Sequence, residues 1–427
     1  MTVSQVDAPP PGAEFDARKN WVDRWGGVIA PVITVILAFL ISGVVVFFTT
    51  KDLGDTLETY RAIFRGSGLS WFFEIGSNSI GLPWSDGRVW FPWNVDDVTS
   101  LAAANLQQTL ILWTALVLTG LAVAFAFRCG LFNIGGQGQY IAGSAVAILV
   151  ATELPDIVDL PRVLLILASV IGGMLAGAFV AGIAGFLKGT VGAHEVITTI
   201  MLNWIVIWVA SYLFGIGGPF QTSESDALPS SADVPDKAKL PVFWGDPLLQ
   251  GLHIGVFVAL ISLVVYAFML NRTTLGYEVR AVGFNPDAAR YGGISVARNY
   301  FLAMAISGTF AGLAGALDSL GWQFRLDVTQ IQGATIGFTG IAVALLGRNT
   351  AVGVGLAALL FAGLETGTAS RNLDPEIFPP DLASSLAIII QGLVVLFVGA
   401  QFVILLLLQR ARRKKADDAK PAEAAPA

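Results

Sequence analysis

The chain has 427 residues, of which 55% are hydrophobic and only 13% are charged, and its formal net charge is −6. Soluble domains carry about 25% charged residues, so a soluble protein of this size and a disordered chain are both excluded. The sequence has no basic stripe for nucleic-acid binding, and a single cysteine, Cys129, excludes an internal disulfide. The remaining class is an all-α, polytopic membrane protein.

Ten apolar stretches have the composition of membrane-spanning helices, each of which needs roughly 20 residues. Apolar and polar residues do not alternate within them, which excludes a β-barrel. The third and eighth stretches are short and rich in glycine, so we expect broken or re-entrant helices there. The stretches cover residues 28–48, 106–127, 134–151, 163–187, 196–216, 251–270, 299–320, 334–347, 351–369 and 384–408.

The distribution of basic residues predicts the orientation. With ten spans, the short connections that carry Arg128, Lys188 and Arg348 fall on the same side as the basic run 410–415. The positive-inside rule places that side, and both termini, in the cytoplasm. The predicted organisation is a cytoplasmic N-terminal tail (1–27), a transmembrane domain (28–408) with external segments at 49–105 and 217–250 and a cytoplasmic loop at 271–298, and a cytoplasmic C-terminal tail (409–427).

Two further features concern the arrangement of the spans. Ten spans divide into two halves of five, and an odd number per half inverts the second half relative to the first, as in many transporters. This prediction rests on the span count alone, because the halves show no residue-level match. The glycine pairs Gly173/Gly177 and Gly308/Gly312 have four-residue spacing, which predicts close helix packing.

The motifs of common enzyme classes are missing. No GxxxxGK[ST] motif is present, so the chain has no P-loop for ATP. His194 and Glu195 begin a metalloprotease pattern, but Thr198 stands where the second histidine is needed. We therefore expect no catalytic residue, no metal and no cofactor on this chain.

Polar side chains at membrane depth are costly and usually line a cavity or pair with one another. Asn133, Gln137 and Gln139 cluster at the glycine-rich start of the third span, where a broken helix exposes backbone groups. Interhelical hydrogen bonding is the alternative role for these amides.

The fifth span adds a second polar face. Glu195, Thr199 and Asn203 follow one another at four-residue spacing and so share a helix face; Glu195 also suits the positive helix start. Trp204 begins an aromatic stripe that suits stacking on a nucleobase or contact with lipid. The predicted solute path comprises Asn133, Gln137, Gln139, Glu195, Thr199, Asn203, Trp204 and, from the eighth span, Phe338, while Asp318 and Glu365 are interpreted as solvated groups at the outer ends of their spans.

The cytoplasmic stretch 271–298 is predicted to hold a short capped helix. Asn285 suits the N-cap, Pro286 the first helical position and Asp287 the positive helix start. A glycine pair at 292–293 ends the helix. Such a helix between two spans suits docking of a soluble partner, with an ordinary loop helix as the alternative.

Four stretches resemble the permease subunit of bacterial ABC importers, in the branch that serves branched-chain amino acids, ribose-type sugars and nucleosides. They are GLFNIGGQGQYIAG (130–143), HEVITTIMLNW (194–204), GYEVRAVGFNPDAARYGGI (276–294) and GFTGIAVALLGRNTAVGVGLAALLFAGLETG (337–367). The first two look most like the nucleoside-type permeases. The long segments 49–105 and 217–250 depart from the shorter members.

The resemblance implies a set of partners. Two identical or related permease subunits form the path, an external binding protein delivers solute, and two cytoplasmic ATPases bind ATP and Mg. A coupling helix contacts each ATPase, and residues 285–292 match it, with charged side chains pairing across the contact and Gly283 and Gly292 letting the backbone turn. The implied coupling residues are Glu278, Arg280, Gly283, Asn285, Pro286, Asp287, Ala288, Ala289, Arg290 and Gly292.

Three functional hypotheses follow. The leading one is an ABC permease that moves an uncharged solute by alternating access, with a nucleoside favoured and a simple sugar as the alternative that asks for the same groups. A transporter driven by an ion gradient would need intramembrane carboxylates, and Asp318 and Glu365 are placed too near the outer ends for this. A channel or structural protein would leave the capped cytoplasmic helix without a function.

Overall fold

The computed structural model describes residues 17–73, 75–81, 88–93, 100–222, 229–246, 251–369, 372 and 380–399. The predicted C-terminal tail 409–427, residues 1–16 of the predicted N-terminal tail and residues 400–408 of the tenth predicted span lie outside these residues. The described part of the chain is a polytopic bundle of helices, as predicted. Two short antiparallel hairpins, which the sequence analysis did not predict, accompany it.

The helices follow the predicted spans in order. Eight described segments are long and apolar enough to cross a membrane. Helix α13 is a shorter apolar helix, and α14 contains residues 384–399 of the tenth predicted span. One boundary differs, because α1 begins at Ala17, inside the predicted tail 1–27. The helices are α1 (Ala17–Thr50), α2 (Leu53–Gly66), α3 (Leu101–Arg128), α4 (Gly136–Ile157), α5 (Arg162–Val191), α6 (Glu195–Phe214), α7 (Gly255–Arg272), α8 (Thr274–Phe284), α9 (Pro286–Tyr291), α10 (Val296–Asp318), α11 (Val328–Gly333), α12 (Ile336–Leu346), α13 (Ala351–Gly367) and α14 (Pro380–Gly399).

The central helix is α3. It is apolar around its whole circumference, and a helix of that kind belongs in a core. Leu116, Leu121 and Phe125 have no exposed surface. Because α7, α10, α12 and α13 all pack against it, α3 is the axis around which the other spans are placed.

Close backbone contacts join α4, α5 and α10. A Cβ added to Gly177 would lie 2.7 Å from the Gly312 Cα, and one added to Gly308 would lie 2.7 Å from the Gly177 carbonyl carbon. Gly143 on α4 meets the backbone of Gly312 in the same way. The glycine pairs therefore pack helix against helix, which confirms their predicted role.

The eighth predicted span is broken, as its short glycine-rich sequence indicated. Helix α11 ends at Gly333 and α12 begins at Ile336. Asp327 caps α11 through a capping box, in which its side chain accepts from the backbone N–H of Gln330 at 2.7 Å. In the third predicted span the non-helical stretch likewise lies at the glycine-rich start, and α4 is continuous from Gly136.

The two long segments predicted outside the membrane are ordered where they are described. The first contains α2 and the hairpin formed by β1 (Ile75–Gly81) and β2 (Arg88–Trp93). The second contains β3 (Val242–Trp244), which pairs with β4 (Leu252–His253). The backbone N–H of Leu240 donates to the Leu320 carbonyl at 2.9 Å, and the backbone N–H of Ser231 donates to the Leu326 carbonyl at 2.9 Å. These contacts hold part of the second segment against the chain that follows α10, although much of residues 229–246 has no regular structure.

We expect Gly312→Ala to lower the melting temperature of the purified protein. The added Cβ would press on the α5 backbone at Gly173 and Gly177, and overpacking of this kind costs about 1–3 kcal/mol. Gly333→Ala is the matched control, since a Cβ there meets no atom within 4 Å. Thermal unfolding of both variants in detergent measures the difference, and equal melting temperatures would contradict the packing argument.

Candidate functional site

The chain leaves helical geometry between α3 and α4, in a segment where buried and partly exposed residues alternate. Residues 131–134 have no regular structure, and Leu131 and Asn133 are 1% and 0% exposed. Non-helical backbone at membrane depth must find hydrogen-bond partners within the protein. Asn133 and Asn203 supply such partners, to the Gly135 N–H and the Ile134 carbonyl. Together with three neighbouring side chains they form a cluster that we name the polar junction: Asn133, Gln137, Gln139, Asn203 and Ser307.

Asn133 is at the centre of the polar junction. Its Nδ2 donates to Gln139 Oε1 at 2.9 Å and to Ser307 Oγ at 2.7 Å. Its Oδ1 accepts from the Gly135 N–H at 2.9 Å and from Gln139 Nε2 at 3.0 Å. Both ends of the Asn133 amide are thus engaged, and the side chain fixes the break to α4 and α10.

Asn203 fixes the same break to α6. Its Nδ2 donates to the Ile134 carbonyl at 2.9 Å, and its Oδ1 accepts from the Gly138 N–H at 2.7 Å. The residue is 3% exposed. In this conformation the Asn203 side chain therefore supplies hydrogen bonds that the backbone would make within a continuous helix. This is the interhelical role that was the alternative to a place in the solute path.

Gln137 differs from its neighbours because half of its amide is unused. Its Oε1 accepts from the Gly337 N–H of α12 at 2.8 Å. Its Nε2 is buried and has no hydrogen-bond partner in the described part of the chain. An unpaired buried donor costs about 1–3 kcal/mol and calls for a functional explanation. Within the polar junction, the unpaired side-chain donor is therefore the Nε2 of Gln137.

The other predicted path residues lie outside this cluster of amides. Thr199 donates to the Glu195 carbonyl of its own helix at 2.8 Å, and the Glu195 carboxylate forms an ion pair with Lys188 Nζ at 2.8 Å. Trp204 and Phe338 are 55% and 44% exposed. The structure thus brings Asn133, Gln137, Gln139 and Asn203 together, while Glu195 joins α5 to α6 and the two aromatic rings face outward.

Asp318 corrects a prediction from the sequence. It was interpreted as a solvated group, but it is only 5% exposed. Its carboxylate accepts from the Tyr140 hydroxyl and from Gln323 Nε2, the latter at 3.1 Å. A single π-helical turn at Ser319–Gln323 continues α10 beyond Asp318. An aspartate inside an apolar span is itself a signal of a buried carboxylate with hydrogen-bond partners. Glu365, the other carboxylate interpreted in this way, is exposed.

The predicted capped helix is present as α9. Asn285 Oδ1 accepts from the backbone N–H groups of Asp287 and Ala288, both at 3.0 Å, and Pro286 is the first helical residue. The glycine pair ends the helix as predicted, with Gly292 as the C-cap at a φ of −75°. The left-handed turn, at a φ of +83°, falls on Gly293 and not on Gly292. A further helix that the sequence analysis missed, α8, leads into it.

The exposed surface of α8 and α9 is aromatic as well as charged. Phe284 and Tyr291 are 92% and 95% exposed, while Ala289 is buried. Sequence reasoning missed both rings as contact residues, although large aromatics beside a capped helix were a signal of docking. Glu278 is not free for such a contact, because it accepts from Asn299 Nδ2 at 3.0 Å and holds α8 to α10. The predicted coupling residues that are exposed are Arg280, Asn285, Pro286, Asp287, Ala288, Arg290 and Gly292.

Helix α8 packs directly on the turn that leads into the polar junction. A Cβ added to Gly283 would lie 2.9 Å from the carbonyl carbon of Cys129, and one added to Gly130 would lie 3.3 Å from the Gly283 Cα. Gly283 therefore serves close packing inside α8 and does not form a backbone turn, which corrects its predicted role. The contact links exposed α9 to the break at Asn133.

Comparison with known proteins agrees with this geometry. The model of the family described as "Branched-chain amino acid transport system / permease component" matches residues 105–410. The nucleoside ABC transporter permease protein NupB of Lactococcus lactis is 37% identical over 77% of this chain and 88% of its own length. The guanosine ABC transporter permease protein NupP of Bacillus subtilis is 38% identical over 71% and 83%. The glucose ABC transporter permease protein TsgB13 of Haloferax volcanii is 32% identical over 90% of both chains.

We expect Asn203→Leu to destabilise the protein, because the Ile134 carbonyl and the Gly138 N–H would both lose their partner. Each buried group left unpaired costs about 1–3 kcal/mol. Asn271→Leu is the control: this asparagine is exposed and bonds only to Ala267 of its own helix. Thermal unfolding and membrane protein levels measure the effect, and a melting temperature no lower than that of the control would show that Asn203 does not hold the break.

Proposed function

We propose that this chain, which belongs to the family of branched-chain amino acid transport system permease components, is the membrane-spanning subunit of an ABC importer. In this proposal the importer moves a nucleoside inward by alternating access. The substrate class is supported by the nucleoside and guanosine permeases, which are more similar to this chain than the glucose permease is. A simple sugar remains the competing substrate, since hydroxyl-rich solutes use the same hydrogen-bonding groups.

The proposed assembly contains two permease subunits, an extracytoplasmic binding protein and cytoplasmic ATPases that bind ATP and Mg. Both termini lie in the cytoplasm in this proposal, and the chain carries no cofactor of its own. Its orientation is supported by the basic residues, because Arg128 lies next to Gly283 of α8 and hydrogen-bonds the 348–349 turn. Two basic connections and the α8–α9 element thus share one side of the bundle, the one that the positive-inside rule assigns to the cytoplasm.

The observation that carries the mechanism is the packing of α8 on the α3–α4 turn. An ATPase that binds Phe284 at the end of α8 and Tyr291 at the end of α9 moves both helices together, since they are joined directly at Asn285. The glycine contact between Gly283 and Gly130 has no side chain to absorb the displacement. Movement of α9 therefore reaches the break at Asn133, whose hydrogen bonds connect α4, α6 and α10.

The free donor of Gln137 gives the moving region a place to bind an uncharged solute. Carbonyl oxygens and ring nitrogens of a nucleobase, and ribose hydroxyls, all accept from an amide N–H. The amides of Asn133 and Asn203 stay in the scaffold and hold the break in place around Gln137.

We expect the double variant Phe284→Ala/Tyr291→Ala to weaken binding of the ATPase by roughly 30-fold, because buried aromatic anchors are worth about 2 kcal/mol or more at interfaces. Co-purification of the ATPase with the permease and ATP-dependent uptake measure the loss. Phe268→Ala is the control, since this ring is exposed on the apolar face of α7. Full ATPase retention and full uptake in the double variant would refute α9 as the coupling helix.

We expect labelled guanosine to be taken up by cells that carry the intact importer, with excess unlabelled nucleoside competing and excess glucose not competing. Gln137→Met should reduce uptake per folded subunit by about 5- to 150-fold, the range for losing one buried hydrogen bond in the translocating state. Gln221→Met is the matched control, because Gln221 Oε1 also accepts from a backbone N–H, that of Gly217, at 2.6 Å. Competition by glucose alone would identify a sugar permease, and normal uptake by Gln137→Met would remove this residue from the path.

A further inference from the structure

A long apolar groove runs beside α1, outside the polar junction and the coupling element. Its first part is a cavity of about 800 Å³ between α1, the α12–α13 turn and α13, with walls that include Val32, Ile36 and Leu356. Its second part, about 640 Å³, continues between α1 and α2. Both parts share Val35 and Ile36, so they form one groove.

The groove has the length and the surface of a lipid-facing site. From Pro31 to Phe47 it follows α1 for about 24 Å at 1.5 Å per residue, most of the roughly 30 Å hydrocarbon core of a bilayer. Val32 and Ile36 are each 52% exposed and Leu356 is 64% exposed. An apolar surface of this extent inside a membrane is covered by acyl chains or by another protein surface.

Two arginines stand at one end of the groove. Arg128 and Arg348 both line the first cavity, and neither has an acidic partner within ion-pair distance among the residues that the structure describes. Arg128 donates through Nε and Nη2 to the Asn349 carbonyl at 3.1 and 2.8 Å, and these bonds fix the position of its guanidinium group. Arg348 is exposed. The guanidinium groups thus mark a site for a negatively charged group directly beside an apolar channel.

The backbone that presents these arginines is fixed in an unusual conformation. Arg348 and Asn349 have φ values of 51° and 52°, the left-handed region that non-glycine residues seldom adopt. The Asn349 carbonyl is held by Arg128 and also by the Tyr266 hydroxyl at 2.8 Å. These hydrogen bonds therefore hold the turn in one conformation, and the turn places the Arg348 side chain at the edge of the cavity.

We propose that this groove binds a phospholipid with an anionic headgroup, its acyl chain along α1 and α13 and its phosphate between Arg128 and Arg348. Arginine binds phosphate oxygens in a bidentate geometry, and anionic lipids lie in the cytoplasmic leaflet next to basic side chains. The C-terminal segment 410–415 of this chain is a poor occupant, because its own run of arginine and lysine would be repelled. The lipid holds α1 and α2, which precede the family region 105–410, against α13.

The test uses the purified full chain in detergent, titrated with palmitoyl-oleoyl phosphatidylglycerol or with the corresponding phosphatidylcholine. Native mass spectrometry counts the lipids retained, and thermal unfolding measures their stabilising effect. We expect phosphatidylglycerol to be retained and to raise the melting temperature more than phosphatidylcholine does. Equal retention of both lipids would overturn the proposal.

Variants separate the headgroup from the chain. Arg348→Gln should weaken phosphatidylglycerol binding by about fivefold, the effect of one basic residue at a membrane surface, and Arg348→Lys should restore most of it. Arg272→Gln is the control, since this exposed arginine ends α7 outside the groove. Leu356→Trp should fill the cavity and reduce retention of either lipid.

Three outcomes would assign the groove elsewhere. Displacement of the lipid by inorganic phosphate at equal concentration would show a simple anion site. Conversion of a dimer to a monomer by Leu356→Trp, with no change in lipid retention, would show that a second copy of the chain covers the groove. Identical lipid binding by wild type and Arg348→Gln would remove the arginines from the site.

Discussion

The structure depends on how the backbone N–H and carbonyl groups of the non-helical segment between α3 and α4 find hydrogen-bond partners where water is absent. Between α3 and α4 the backbone leaves the helix beside buried side chains such as Leu131 and Asn133. Each unpaired amide at membrane depth would cost several kcal/mol. Asn203 and Asn133 supply the missing partners, at distances of 2.7 to 2.9 Å to the backbone. Every helix that meets this break is positioned by these few amides, so the same groups that allow the break also set the geometry around Gln137.

The order and type of the elements could be predicted because they follow from local composition. Apolar length identifies the spans, and the cap at Asn285 is formed by residues adjacent in sequence. Partners across the fold could not be predicted in this way. Gln137 and Asn203 look alike in sequence, yet one has a free donor and the other does not. That difference depends on which helices pack together, as does the burial of Asp318 opposite Tyr140.

Two kinds of helix contact divide the bundle. Helices α4, α5 and α10 meet through glycines, where backbone lies on backbone and no side chain intervenes. Helices α6 and α12 are instead connected to α4 through amides, at Asn203 and Gln137. Amide hydrogen bonds can be exchanged for others of similar energy, whereas a packed glycine surface cannot deform gradually. Motion around Gln137 is therefore expected at the amide contacts, with the glycine-packed trio moving as one body.

The glycine contacts also limit how the trio can rearrange within itself. On α5 and α10 the glycines that make these contacts repeat every four residues, at Gly173/Gly177 and Gly308/Gly312. A small shift of one helix along the other would move a carbonyl away from the glycine that it contacts and into a side chain. The next position at which glycines face each other lies one repeat away, about 6 Å along the axis at 1.5 Å per residue. The α5–α10 interface thus has discrete registers with no stable position between them, and this fixes the two helices relative to each other.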